Sequence, residues 1–156
     1  MRLVTNSEAV SVYASGAQDV NHLNEQYRGR KPDIIDNAFV IVNFENGIRS
    51  MLDLCMFSEN SKLQEELCAV GNIGKIETGV PSFLSGKSSS ELSIGLRKSN
   101  NILIENIEVD ETILKAGHHH GSTYYEHLEL QKAITENLRA QVSFCLLYTS
   151  DAADES

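Results

Sequence analysis

The sequence predicts an α+β fold, an open and mostly antiparallel sheet with helices on one face. Apolar and polar residues alternate along 36–57 on both sides of Asn46-Gly47, which is typical of two antiparallel strands joined by a tight turn. Similar alternating segments stand before and after this hairpin. Residues 123–138 instead have the apolar spacing of an amphipathic helix, so we expect a helix to close the fold.

Each element follows from its own local pattern. Residues 1–6 indicate the end of an amphipathic helix, and because no N-cap residue precedes them we expect its beginning to be missing. Period-two apolar spacing predicts strands at 8–16, 36–44, 48–57, 64–70, 75–77, 92–96 and 102–104. Residues 17–31 are polar and predict a long excursion before Pro32, and 81–90 predict a Gly/Ser-rich loop. At the closing helix, Thr123 and Glu126 match the S/T-x-x-E capping box.

Composition restricts the function classes. The 156 residues suit one domain with 41% apolar and 22% charged residues, both ordinary for a globular protein. The formal charge of −9 argues against a nucleic-acid or anionic-membrane surface. Arg28-Gly29-Arg30-Lys31 is a short basic cluster, which we interpret as a solvated loop in preference to a phosphate site. Without a long apolar run or a signal peptide, the expected location is the cytoplasm.

The cysteines indicate neither disulfides nor zinc. Cys55, Cys68 and Cys145 are an odd number without C-x-x-C spacing. Cys55 and Cys68 fall in apolar strand segments, where a reduced cysteine behaves as a small apolar residue.

The C-terminal segment departs from the rest of the chain. Residues 145–155, CLLYTSDAADE, resemble the translation of a transposon-based sequencing adapter over eleven consecutive residues. We therefore expect residues 1–143 to form the domain and 144–156 to be an artefactual, disordered tail, with the natural protein continuing past about Ser143.

Two segments resemble a known enzyme family. Residues 36–49, DNAFVIVNFENGIR, are similar to the central hairpin of the Gfo/Idh/MocA oxidoreductases, named for glucose–fructose oxidoreductase and inositol dehydrogenase. Residues 65–77, EELCAVGNIGKIE, resemble the family's G-x-x-G-x-(I/L)-E turn. The order of helix end, strand, hairpin, turn, hairpin and closing helix also resembles the family's C-terminal domain. The resemblance covers roughly residues 1–140.

The resemblance implies that cofactor binding and substrate binding belong to two different domains. Family members bind NAD or NADP in an N-terminal Rossmann domain, and their C-terminal domain shapes the substrate pocket and often forms the oligomer interface. The chain contains no G-x-G-x-x-G, no E-K-P and no D-x-x-x-H motif. We therefore expect the catalytic Lys and the Asp/His pair to lie upstream of Met1, and we assign no catalytic, cofactor-binding or metal-binding residue here. Alone, the chain is expected to bind no cofactor and to be inactive.

The substrate-binding candidates are Phe57, Glu59, Asn60, His118, His119 and Tyr124. The first three follow the second hairpin strand, whose end faces the substrate in the family; an exposed connecting turn is the alternative. The histidines belong to Gly117-His-His-His-Gly121, where hydrogen bonds to a polyol compete with surface or capping roles, and consecutive histidines suit a tetrahedral metal site poorly. The Tyr124 phenol is either a ligand contact or a packing residue.

Two functions from different classes follow. The first is the C-terminal domain of an NAD(P)-dependent oxidoreductase acting on a sugar or polyol, completed by the missing Rossmann domain and assembled as a homo-oligomer through the sheet face. The second is a stand-alone antiparallel-sheet module for protein association, without catalysis.

Overall fold

The computed structural model describes residues 1–82, 85 and 89–140. The tail predicted at 144–156 and half of the loop predicted at 81–90 (residues 83, 84 and 86–88) lie outside the described residues. The chain divides into two compact units, Met1–Glu59 (unit 1) and Asn60–Ser156 (unit 2). Each unit is described by itself.

Unit 1 is a short helix followed by a three-stranded antiparallel sheet. Helix α1 (Arg2–Thr5) ends at Asn6, which adopts a left-handed conformation with φ of 47°, so the predicted helix end is confirmed. The sheet has the order β1-β2-β3, and its strands agree with the predicted segments within two residues. The strands are β1 (Ala9–Ala17), β2 (Asn37–Phe44) and β3 (Arg49–Cys55).

The hairpin predicted at Asn46-Gly47 is present. The Phe44 amide donates to the Ile48 carbonyl, and the Gly47 amide donates to the Phe44 carbonyl, both at 2.9 Å. Gly47 has φ of +82°, a conformation that glycine adopts without steric cost. This turn fixes the register that pairs Val40 with Leu52.

Unit 2 is a four-stranded antiparallel sheet followed by helices. The sheet order is β4-β5-β6-β7, so each strand pairs with the next along the chain. The strands are β4 (Leu63–Val70), β5 (Gly74–Pro81), β6 (Ser89–Leu96) and β7 (Ile102–Glu108). All four strands are longer than the sequence predicts. After them come α2 (Glu111–Ala116), a single 3-10 turn (His119–Gly121) and α3 (Ser122–Thr135).

The structure confirms an α+β chain of antiparallel sheets but differs from the prediction in its sheet arrangement. The strands form two sheets instead of one open sheet. Between β3 and β4 the chain passes through turns at 56–57 and 59–60 in a polar segment without strand alternation, so the hydrogen-bonded ladder is not continued there.

Two details of the helices also differ from the prediction. Helix α2 was not predicted, because six residues are too few to display helical periodicity; its N-cap Asp110 accepts a hydrogen bond from the Thr112 amide at 2.8 Å. The predicted capping box at Thr123 is wrong. Helix α3 begins at Ser122 with Gly121 as N-cap, and Gly121 provides no capping side chain.

Little apolar surface is buried within the described residues. The buried apolar residues are Ala38, Phe44 and Ala133. By contrast, Val12 and Met51 on the first sheet are 62% and 70% exposed, and Leu67 on the second is 58% exposed. Both sheets therefore leave apolar side chains uncovered.

Cys55 and Cys68 are free thiols that are exposed to solvent, so neither contributes to a core as a small apolar residue. No described helix has the length and apolar character required to cross a membrane.

Candidate functional site

The six predicted substrate-binding residues fall in both units. Phe57 and Glu59 lie in turns after β3 in unit 1, where Phe57 is half-buried and Glu59 is exposed. Asn60 is the first residue of unit 2 and lines its cavity. His118, His119 and Tyr124 lie together around the junction of α2 and α3, also in unit 2.

The cavity of unit 2 has a volume of about 860 Å³. It lies along β4, β5 and β6 and reaches Asn106 on β7. Its described lining is rich in carboxylate, hydroxyl and amide groups. Representative lining residues are Glu66, Glu77, Glu91, Ser93 and Asn106.

The cavity and the histidine loop (residues 117–121) are on opposite sides of β4. Neighbouring residues of a strand direct their side chains to opposite faces of the sheet. Glu66, paired with Gly79, lines the cavity, whereas Glu65, paired with Val80, contacts His119. The described cavity lining includes none of the three loop histidines, so this loop does not form the mouth of that cavity.

His119 makes the best-defined polar contact among the predicted residues. Its Nδ1 lies 2.9 Å from Glu65 Oε1 and 3.4 Å from Gln64 Nε2. His119 and Glu65 are about half exposed, at 46% and 48%. The pair therefore lies at the surface, where a dissolved ligand can reach the imidazole.

Tyr124 packs against its neighbour in α3. The rings of Tyr124 and Tyr125 meet edge to face with centroids 5.6 Å apart and an interplanar angle of 81°. Tyr124 remains 38% exposed.

Unit 1 contains a polar centre that the sequence did not single out. The side chain of Asp36 is 1% exposed, although it is a carboxylate. Its two oxygens accept hydrogen bonds from the backbone amides of Asp19, Val20 and Asn21 at 2.7–3.0 Å, and Oδ1 also accepts from Asn37 Nδ2 at 3.0 Å. In the structure the excursion extends over residues 18–35, between β1 and Asp36. The Asp36 carboxylate fastens it to the sheet.

The hydrogen bonds also set the ionisation of Asp36. Burial by itself raises the pKa of the carboxyl, but hydrogen bonds from the amides of Asp19, Asn21 and Val20 and from the Asn37 side chain outweigh it. The net result is an Asp36 pKa well below the ordinary value, so the group is ionised at neutral pH.

A second imidazole–carboxylate pair lies further along the excursion. His22 Nδ1 is 2.9 Å from Glu25 Oε2, and the Tyr27 hydroxyl donates to the same oxygen. The hydrogen bond from Tyr27, followed by that from His22, lowers the pKa of Glu25, and the carboxylate in turn raises the pKa of Tyr27.

The basic cluster forms the tip of the excursion. The amides and carbonyls of Tyr27 and Arg30 exchange hydrogen bonds of 2.9 and 3.1 Å, which makes 27–30 a tight turn. Arg28 and Gly29 have φ of 54° and 78°, as this turn requires. The cluster is exposed, in agreement with a solvated loop.

Within the described part of the chain, no three His, Cys, Asp or Glu side chains come together in a group that could hold a metal ion. The arrangement around His119 thus brings one carboxylate and one amide to the imidazole, and it is suited to orienting a ring for hydrogen bonding.

Sequence reasoning missed Glu65, Asp36 and the His22–Glu25 pair. Glu65 and His119 are 54 positions apart, and no local pattern connects them. Asp36 had a weak signal, because a lone carboxylate directly precedes an apolar strand at the end of a long polar segment.

Comparison with known proteins does not assign the chain. No protein-family model matches it, and no curated protein matches its sequence at a significant level.

Proposed function

We propose that the chain is the substrate-binding and assembly domain of an NAD(P)-dependent oxidoreductase of the Gfo/Idh/MocA type, acting in the full protein on a sugar or polyol hydroxyl. The observation that carries the proposal is the order of motifs on antiparallel elements. The Asn46-Gly47 hairpin comes first, the Gly71-x-x-Gly74 turn between β4 and β5 follows, and α3 is the last of the described elements. This order resembles that of the family's C-terminal domain.

The chemistry of unit 2 supports a polyhydroxylated ligand. A cavity of about 860 Å³ lined by carboxylates, hydroxyls and amides offers many donors and acceptors at once. Asn60 lines this cavity, and His119 presents an oriented imidazole on the other side of β4. Sugars and polyols are bound by such groups because each hydroxyl both donates and accepts a hydrogen bond.

In this proposal the redox chemistry belongs to a companion domain. The sequence contains no G-x-G-x-x-G turn for a dinucleotide, so NAD or NADP would be held by an N-terminal Rossmann domain. The Lys and Asp/His groups that move the proton would come from that domain as well. The present chain would supply the binding surface that positions the hydroxyl-bearing carbon.

The exposed sheets favour a second candidate, a protein-association module. Val12, Met51 and Leu67 are each more than half exposed on strand faces, an unusual arrangement for a monomeric protein in water. Under the first proposal the same surfaces would be covered by the companion domain and by further copies in a homo-oligomer. Under the second they would bind another protein as the chain's main function.

Titration of the purified 156-residue chain with myo-inositol and D-glucose, followed by amide and histidine NMR shifts, tests the choice. The oxidoreductase proposal expects saturable millimolar binding with shifts at Asn60 or His119, and no reduction of NAD or NADP. An absence of polyol-induced shifts, together with tight self-association by light scattering, would instead favour the association module. The coding DNA upstream of Met1 gives an independent check, since the proposal expects D-x-x-x-H, E-K-P and G-x-G-x-x-G in frame.

A further inference from the structure

We infer that Glu65 is a positioning residue that orients His119 so that the imidazole Nε2 accepts a hydrogen bond from a ligand hydroxyl. The inference rests on the proposed function for its class of ligand, a sugar or polyol. It adds a requirement on that ligand: at this position it must offer a donor, so a hydroxyl binds and an ether oxygen does not.

The contact with Glu65 determines the tautomer of the ring. Glu65 Oε1 lies 2.9 Å from His119 Nδ1, and an ionised carboxylate can only accept. In the neutral form of the ring the proton is therefore on Nδ1, which leaves the Nε2 lone pair able to accept a hydrogen bond. Gln64 Nε2 is 3.4 Å from the same Nδ1, and a hydrogen bond from this amide would require Nδ1 to be the acceptor. The contact with Glu65 is shorter and charge-assisted, so it determines the tautomer.

The backbone of the loop is strained. His119 and His120 both have φ of 54°, a left-handed conformation that is sterically unfavourable for a residue with a side chain. Two such residues in succession persist only when surrounding contacts impose them, and they concentrate at functional sites.

Gly121 explains how the strain is maintained. It has φ of +90°, and a Cβ there would lie 3.0 Å from Ile113 Cγ2 and 3.1 Å from Val109 Cγ1. The loop is therefore pressed against α2 and the end of the sheet, with no room for a larger residue. The close packing at Gly121 restrains the backbone of the loop, and Glu65 holds the His119 ring at Nδ1.

His120 supplies a second, independent observation. Its Nε2 is buried and has no hydrogen-bond partner among the residues that the structure describes. Leaving such an atom unsatisfied is unfavourable, because its hydrogen bond to water is lost and not replaced. The unsatisfied nitrogen adds to the cost of the loop's conformation, as the left-handed residues do, and such costs concentrate at functional sites.

The test compares E65Q with E105Q in the full chain. Glu105 is an exposed carboxylate on β7 outside the described cavity lining, so E105Q makes the same chemical change away from both the cavity and His119. Nitrogen-15 NMR of the histidine rings reports the tautomer directly. We expect the neutral His119 ring to be protonated on Nδ1 in the wild type and in E105Q, and to become a mixture of tautomers in E65Q.

Myo-inositol is the probe for binding, and its fully O-methylated derivative is the donor-free control. We expect E65Q and H119A each to weaken inositol binding by about tenfold, with no effect of the methylated compound on the His119 signals. Equal inositol affinity of wild type and E65Q, or an unchanged tautomer in E65Q, overturns the inference and leaves the proposed function standing. If the wild-type chain binds no polyol at all, both are wrong.

Discussion

The two units fix their irregular segments in different ways. In unit 1 a single buried carboxylate, Asp36, accepts three consecutive backbone amides and fastens the excursion to its sheet. In unit 2 the histidine loop is fastened by the half-exposed pair His119–Glu65 and by the close approach of Gly121 to α2. The buried group is fully satisfied and inaccessible, so it serves architecture. The exposed pair keeps a ring nitrogen available, so it is the better candidate for ligand binding.

The substitution D36N tests this comparison most directly and should have the largest effect. The amide that replaces the carboxylate has one acceptor oxygen and an NH₂ group that would face other donors, so two or more of the donors around Asp36 lose their partner. We expect the thermal midpoint of unit 1 to fall by on the order of 15 °C. Hydrogen exchange at the amides of Asp19, Val20 and Asn21 should accelerate strongly. D33N, at an exposed aspartate of the same segment, is the matched control and should change neither.

A smaller effect is expected in the sheet of unit 2. A Cβ on Gly74 would lie inside contact distance of the Gly95 carbonyl oxygen on β6 and 3.2 Å from Leu96 Cα. G74A should therefore force β5 and β6 apart at a cost of about 2 kcal/mol, measured by urea unfolding. Gly71, the other glycine of the G-x-x-G turn, meets nothing nearer than 3.9 Å, so G71A should cost much less. Equal losses in the two variants would show that the turn, and not the cross-strand approach, requires glycine.

The smallest effect is a dependence on acid pH. The folded-state pKa of Asp36 is depressed, so its stabilising contribution is complete above the ordinary aspartate pKa of about 3.9. Below that value the unfolded chain binds a proton that the folded chain does not, and the contribution is lost progressively. Between pH 5 and pH 3 the thermal midpoint of the wild type should fall by several degrees more than that of D36N. Parallel curves for the two proteins would contradict this assignment.

The sequence predicted those features that depend on neighbouring residues. The Asn46-Gly47 turn was predicted because the left-handed Gly47 leaves a local signature, and the strands around it followed from alternation. The α3 helix was predicted from its apolar spacing, but its start was misplaced, because Gly121 adopts the N-cap position for reasons of packing against Ile113 and Val109.

The features that the sequence missed depend on distant parts of the chain. Glu65 meets His119 only because the fold returns the chain across 54 positions, and nothing near either residue indicates the contact. The division of the strands into two sheets was missed for a related reason. Alternation identifies a strand but does not specify which edges pair.

The hydrogen bonds to Asp36 have a consequence for how the sequence of the excursion can change. The Asp36 carboxylate accepts hydrogen bonds from main-chain amides, so these bonds do not depend on the identity of a side chain such as that of Val20, which is exposed. Every amino acid except proline carries the amide that the carboxylate needs. The segment can therefore accumulate substitutions, or accept a grafted recognition sequence, while its path over the protein is preserved.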